Sequence, residues 1–143
     1  MKIAIENQKI GPAIDLLSKI TLKGTKSRHR TKMKNHLLSA QKEFEDQFDQ
    51  LLKEHCYLDD EGNPEKTSDG QHYHIKDVED FKAARQELME ESYILEGGNA
   101  WGYLKTMKAV FLELDMELNG ADADAYDCLC DEFEKMEVDE KGA

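Results

Sequence analysis

Between Thr25 and Glu61 the chain has neither glycine nor proline, and apolar residues recur at helical spacing along the whole stretch. Met33, Leu37, Ala40, Phe44, Phe48, Leu51 and Leu58 follow one another at steps of four, three, four, four, three and seven. Such steps place the side chains on one stripe of an α-helix. Leu38 and Leu52 widen that stripe. The spacing predicts one long helix from about Ser27 to Tyr57, against which the remaining elements must pack. A chain of 143 residues has room for one core and little more. The expected fold is therefore mainly α: a single domain, residues 1–143, of four to five helices around one long helix, with a minor two-stranded β element. The stripe is nearly heptad-like, which suits either a monomer or a homodimer.

Shorter elements flank the long helix. Ile3 and Ile5 alternate with polar neighbours, a short strand signal whose obvious partner is Tyr93–Leu95. Gly11-Pro12 predicts the opening of a short helix with Ile14, Leu16 and Leu17 inward, ended by Gly24. Asp59 to Pro64 and Thr67 to Gly70 carry turn chemistry, which predicts a loop with a two-stranded flap formed by Cys56–Leu58 and His72–Ile75. Asp77 is a good N-cap for a helix reaching about Glu91, with Val78, Phe81, Ala84 and Leu88 inward. A further helix from about Ala100 holds Trp101, Leu104, Met107, Phe111, Leu114 and Leu118, and stops at Asn119-Gly120. Asp122 or Asp124 caps a last helix carrying Tyr126, Leu129, Cys130, Phe133 and Met136, followed by a frayed tail over 138–143.

Charge is polarised along the chain. Residues 1–42 hold ten Lys/Arg against two acids, and residues 43–143 hold nine against 29, so a net charge of -12 is the sum of +8 and -20. Lys26, Arg30 and Lys34 stand at i, i+4 and i+8, with Arg28 and Lys32 making a second basic row. All five fall at the amino end of the long helix, where the macrodipole is positive and favours acids. Cations placed there cost a few tenths of a kcal/mol each, so an anion is expected to meet them. An internal anion would be the acidic final helix, through Asp127, Asp131, Glu134 and Glu137. An external one would be an acidic partner or a phosphate backbone. The 43–137 part is an acidic helical region in which Glu113–Glu140 carries twelve acids and one base. Its final helix predicts a partner-binding face made of Asp122, Asp124, Asp127, Asp131 and Glu134.

Residue types that carry chemistry are present without the spacing that chemistry needs. Cys128 and Cys130 would lie about 200° apart round a helix and cannot share a metal ion. No second ligand pair accompanies either them or His72 and His74. Asp59 to Asn63 lacks the ligand order of a calcium loop, which Pro64 would interrupt. His55-Cys56 is adjacent in sequence, whereas working nucleophile–base pairs are brought together by the fold. Phosphate-loop and nucleophile-elbow patterns are absent. No enzyme activity, metal or other cofactor is expected. No apolar run approaches the roughly 18 residues of a membrane span. The expected setting is the cytoplasm.

Leu22-Lys23-Gly24 followed by Ser27-Arg28-His29-Arg30-Thr31-Lys32, the long helix, and then Asp60-Glu61-Gly62-Asn63 resembles a family of small, uncharacterised proteins encoded by bacteriophages and prophages of Gram-positive bacteria. The likeness continues through Leu88-Met89-Glu90-Glu91 and Tyr126-Asp127. It implies a phage origin and a non-enzymatic accessory role, and supplies no catalytic residues. Together with the charge map, this predicts a protein-binding module, an acidic inhibitor that occupies a basic surface of a host nucleic-acid-handling or defence protein. The alternative is a small virion or tail-assembly accessory protein that docks on another phage protein. Direct nucleic-acid binding through the basic rows is the weakest reading. No aromatic interleaves them, and the rest of the chain repels phosphate.

Overall fold

The computed structural model describes residues 2–96 and 98–141, with side chains for all of these except 98–101 and 137–141. Trp101 and Glu137, assigned to helix faces above, lie outside the described side chains, and residues 142–143 lie outside altogether. Among the described residues the chain runs β1 (Lys2–Glu6), α1 (Asn7–Lys19), α2 (Gly24–His55), α3 (Val78–Glu90), β2 (Ser92–Glu96), α4 (Gly98–Leu112) and α5 (Gly120–Lys141). The mainly helical fold with a small β element is therefore the observed one. By its contacts the chain divides into two compact units. The first comprises residues 1–41 and 92–143, the second residues 42–91.

The first unit holds the main core. β1 and β2 pair antiparallel, with Ile3 opposite Leu95 and Ile5 opposite Tyr93, as the alternation predicts. Ile3, Ile5 and Leu95 face a cluster built from Ile10, Leu16 and Leu17 of α1, Met33 and Leu37 of α2, Leu104, Met107 and Phe111 of α4, and Leu129, Phe133 and Met136 of α5. Phe111 and Phe133 stack with ring centroids 5.3 Å apart. Two hydrogen bonds tie α2 to α4 beside this core: His36 Nδ1 lies 2.7 Å from Tyr103 Oη, and His29 Nδ1 lies 2.6 Å from Thr106 Oγ1. Burial pushes the Tyr103 phenol well above its ordinary range.

Several boundaries differ from the sequence expectation, each for a physical reason. α1 opens at Asn7, not at Gly11-Pro12, and contains Pro12. Ile10 is fully buried, and the roughly 1.5–3 kcal/mol from burying such a side chain offsets the hydrogen bond that proline removes. Gly24 starts α2 and Gly120 starts α5; both have positive φ, a conformation that a residue without Cβ adopts at little cost. α4 ends at Leu112 rather than near Leu118. Its carboxyl end is held by Tyr126 Oη, which donates to the Phe111 carbonyl at 2.6 Å. Leu114 and Leu118 then pack on the core from an irregular segment. α5 continues through Lys141, into the stretch expected to fray.

The second unit is thinner, with Leu52 and Cys56 as its buried residues. α2 supplies Phe44, Phe48 and Leu51, and α3 supplies Phe81, Ala84 and Leu88, all half-buried. The Asp77 carboxylate caps α3 by accepting from the Glu79 and Asp80 amides. Val78, Leu38 and Leu58, assigned inward by periodicity, are all exposed. Leu58 lies beyond the end of α2, and Val78 is the first residue of α3, with no preceding turn to cover it. Where a two-stranded flap is expected, no continuous strand forms; isolated antiparallel bridges join three segments instead, Cys56 with Ile75, Leu58 with Pro64, and Lys66 with Tyr73. Its segments close on themselves. Tyr57 N donates to His74 O, His74 N to Glu65 O, and Glu65 N to Tyr57 O, at 3.0, 2.8 and 2.7 Å.

Candidate functional site

The basic rows and the acidic final helix both belong to the first unit, but among the described residues they do not pair. Arg30 turns inward. Its Nη1 donates to the carbonyls of Leu17 at 2.9 Å and Ile20 at 2.6 Å, at the carboxyl end of α1. These are orphan acceptors with no partner further along their own helix. Arg30 therefore meets the negative end of a helix dipole, a third kind of anion beside the two expected from sequence. Its loss breaks the Lys26–Arg30–Lys34 row. Lys26, Arg28 and Lys32 are exposed and Lys34 is half-buried. None of the four makes an ion pair with a described residue.

The acidic helix is anchored from below by two of its own carboxylates. Asp122, in the first turn of α5, bridges at 2.8 Å to Lys19, in the last turn of α1. Each charge sits at the helix end whose dipole it complements. The hydrogen bond to Asp122 raises the Lys19 ammonium above its ordinary range. Glu132 accepts the Ala4 amide of β1 at 2.9 Å and the Lys135 ammonium at 2.8 Å. That bond satisfies a strand N–H which would otherwise face the helix unpaired. Asp122 is thus tied into the fold, contrary to its assignment to an open partner-binding face.

The other four members of that face remain available. Asp124, Asp127, Asp131 and Glu134 are exposed, and none makes an ion pair with a described residue. Their steps of three, four and three keep them on one narrow stripe about 15 Å long, at 1.5 Å rise per residue. The opposite side of α5 is the core side, with Ala125, Leu129, Phe133 and Met136 buried. Core packing therefore fixes the direction in which the acids point. A groove of about 330 Å³ runs beside the row, bordered also by Lys9, Cys128 and Lys135. One charge per roughly 5 Å of helix is sparser than the one per about 3.4 Å of a single DNA strand. The row suits scattered lysines and arginines on a protein better than a strict copy of a phosphate backbone.

Residues that invited metal or nucleophile chemistry are spread apart or occupied. Among the described residues no group of three His, Cys, Asp or Glu could hold a metal ion. Asp59 Oδ1 accepts the amides of Glu61 and Asn63, and Asp69 Oδ1 accepts that of Gln71 and the Thr67 hydroxyl. The Thr67 hydroxyl holds the Asp69 carboxyl below its ordinary range. His74 pairs with Glu65 at 3.2 Å and packs against the Tyr57 ring. All three cysteines are free thiols, and burial pushes each above its ordinary range. The thiolate is the reactive form. At pH 8, iodoacetamide is expected to leave Cys56 unmodified in the native protein and to alkylate Cys128 and Cys130 more slowly than free cysteine. Rapid labelling of any of them in the folded state would contradict this.

Three features escaped the sequence reading: the inward turn of Arg30, the strand-capping bond of Glu132, and a groove between α2 and α3 in the second unit. None has a sequence signal, because each depends on where a distant segment lies. Comparison with family models, curated proteins and solved structures finds no match to this chain. No described helix is long and apolar enough to cross a membrane.

Proposed function

We propose that this protein is a non-enzymatic, phage-encoded binding module whose α5 row occupies a basic surface of a host nucleic-acid-handling or defence protein. The observation that carries this reading is the row itself. Asp124, Asp127, Asp131 and Glu134 are collinear and exposed, and they have no ion pair among the described residues. They are also held in a fixed direction by the core residues on the opposite side of the same helix. Four aligned carboxylates gain nothing for folding, since like charges at such spacings repel by a few tenths of a kcal/mol per pair. A partner with matching cations would turn that repulsion into complementarity, raising the association rate and excluding acidic competitors. The resemblance to phage-encoded proteins supplies the class of partner.

The test is neutralisation without loss of shape. Asp127→Asn, Asp131→Asn and Glu134→Gln together should weaken the complex at least tenfold, with the melting temperature unchanged or raised. Raising the salt from about 0.05 to 0.5 M should weaken the wild-type complex strongly, since exposed charges are then screened within a few ångströms. A complex that ignores both changes rules the reading out. A second reading, a virion or tail-assembly accessory, draws support from the exposed Tyr57, Leu58 and Tyr73 on the closed flap. Stoichiometric presence in purified particles would favour it over the first.

A further inference from the structure

Within the second unit, α2 and α3 enclose an open groove of about 580 Å³. Its floor is apolar: Leu51 from α2, with Ala84 and Leu88 from α3, all half-buried. Its rim is acidic on both sides. Glu43, Asp46 and Glu54 line it from α2, and Glu87 and Glu91 line it from α3. No lysine or arginine lines it, and none of the five carboxylates makes an ion pair with a described residue. Lys42, Lys53, Lys82 and Arg85 lie on the same two helices but outside the groove. Charge on this unit is therefore sorted, with the acids gathered at the edge of the apolar surface.

We infer that this groove is a docking site for a basic amphipathic helix of a partner protein, distinct from the α5 row. Helix walls on both sides leave no free strand edge, so an extended segment would find no backbone partners, whereas a helix satisfies its own. The α2 wall from Glu43 to Glu54 covers twelve residues, about 16 Å from end to end or three turns. A partner helix of that length needs leucine-like residues at i, i+3 or i+4, and i+7 for the floor. It needs lysines or arginines on both flanks to meet the two rims. The chain's own basic segment does not fit. Lys26, Arg28 and Lys32 are exposed beside Thr25, Thr31 and Asn35, so that surface has cations without the apolar stripe.

The probe is a fluorescein-labelled peptide of about fourteen residues, with leucines on one helical stripe and lysines on the remaining face. A scrambled peptide of identical composition, whose leucines fall on no stripe, is the control. Anisotropy titration of the full chain is expected to give at least tenfold tighter binding for the striped peptide, with a gain in its helical circular dichroism. Leu88→Lys should weaken binding at least tenfold by filling the floor with a charge. The exposed double variant Glu54→Gln/Glu87→Gln, which leaves the packing untouched, should weaken it about threefold and flatten its salt dependence. Asp127→Asn/Asp131→Asn/Glu134→Gln should leave it unchanged, which separates this groove from the α5 row. The inference is overturned by any of four results: equal affinity for the scrambled peptide, no binding by either peptide, indifference to both groove variants, or loss of binding in the α5 variant. Sedimentation showing that a second copy of the chain already fills the groove would overturn it too.

Discussion

Replacing Phe133 with alanine is expected to destabilise the protein by about 3–5 kcal/mol, which is the usual cost of emptying a buried phenylalanine site. Phe133 is fully buried and stacks on Phe111, whose ring also lies 5.9 Å from Tyr126. The Tyr126 hydroxyl holds the Phe111 carbonyl where α4 stops. One truncation therefore opens a cavity on α5 and loosens the point where α4 ends and the chain turns back toward it. Small proteins are stable by only about 5–15 kcal/mol, so the loss is a large share of the total. A fall in melting temperature on the order of 10–20 °C should be seen by circular dichroism. Phe133→Leu should cost less than half as much. A Phe133→Ala variant that melts within about 2 °C of wild type would show that α5 is not docked on this core.

Arg30→Met is expected to cost about 2–3 kcal/mol, although it removes one of the cations that appear misplaced in the sequence. Methionine keeps an apolar stem of similar length, so packing is largely retained. Two charge-assisted bonds to the Leu17 and Ile20 carbonyls are lost, and partly buried acceptors are left unpaired. Arg30→Lys should recover part of the loss, since an ammonium reaches one carbonyl but lacks the planar fork. In contrast, Lys26→Met and Lys32→Met should each change stability by less than about 0.5 kcal/mol, as is usual for exposed positions. Urea denaturation of the four variants is the measurement. Equal effects at positions 26, 30 and 32 would contradict the inward role of Arg30.

Helices with strong periodicity were legible from sequence, and so was the pairing of Ile3–Ile5 with Tyr93–Leu95. Helix ends were less so, because competing contacts decide them. Burial of Ile10 carries α1 past Pro12, and the tyrosine bond to the Phe111 carbonyl accompanies a stop in α4 that the spacing of Leu114 and Leu118 conceals. The acidic row was legible as positions, since a 3-4-3 spacing defines a stripe on any helix. Its exclusion of Asp122 was not, because that depends on the end of α1 lying beside the start of α5. Arg30 shows the same limit from the basic side. Its local sequence asks for an anion, and only the folded chain supplies one in the form of backbone carbonyls. The groove of the second unit needed two helices whose lining residues, Glu43 to Glu54 and Ala84 to Glu91, lie 30 to 48 residues apart in sequence.

Charge divides accordingly into two kinds. Lys19, Asp122, Glu132 and Arg30 hold elements together through specific bonds. Asp124, Asp127, Asp131 and Glu134 hold nothing within the described chain and face outward in register. The central claim is that this second group is the contact surface for a basic partner. Zero-length carbodiimide cross-linking tests it most directly, on the complex captured from a Gram-positive bacterial lysate, because that reagent joins only carboxylates and amines already in contact. Mass spectrometry is predicted to find Asp127, Asp131 or Glu134 joined to lysines of a nucleic-acid-handling or defence protein, with those links abolished in the Asp127→Asn/Asp131→Asn/Glu134→Gln variant. Cross-links confined to other surfaces, or a partner recovered equally by that variant, would contradict it.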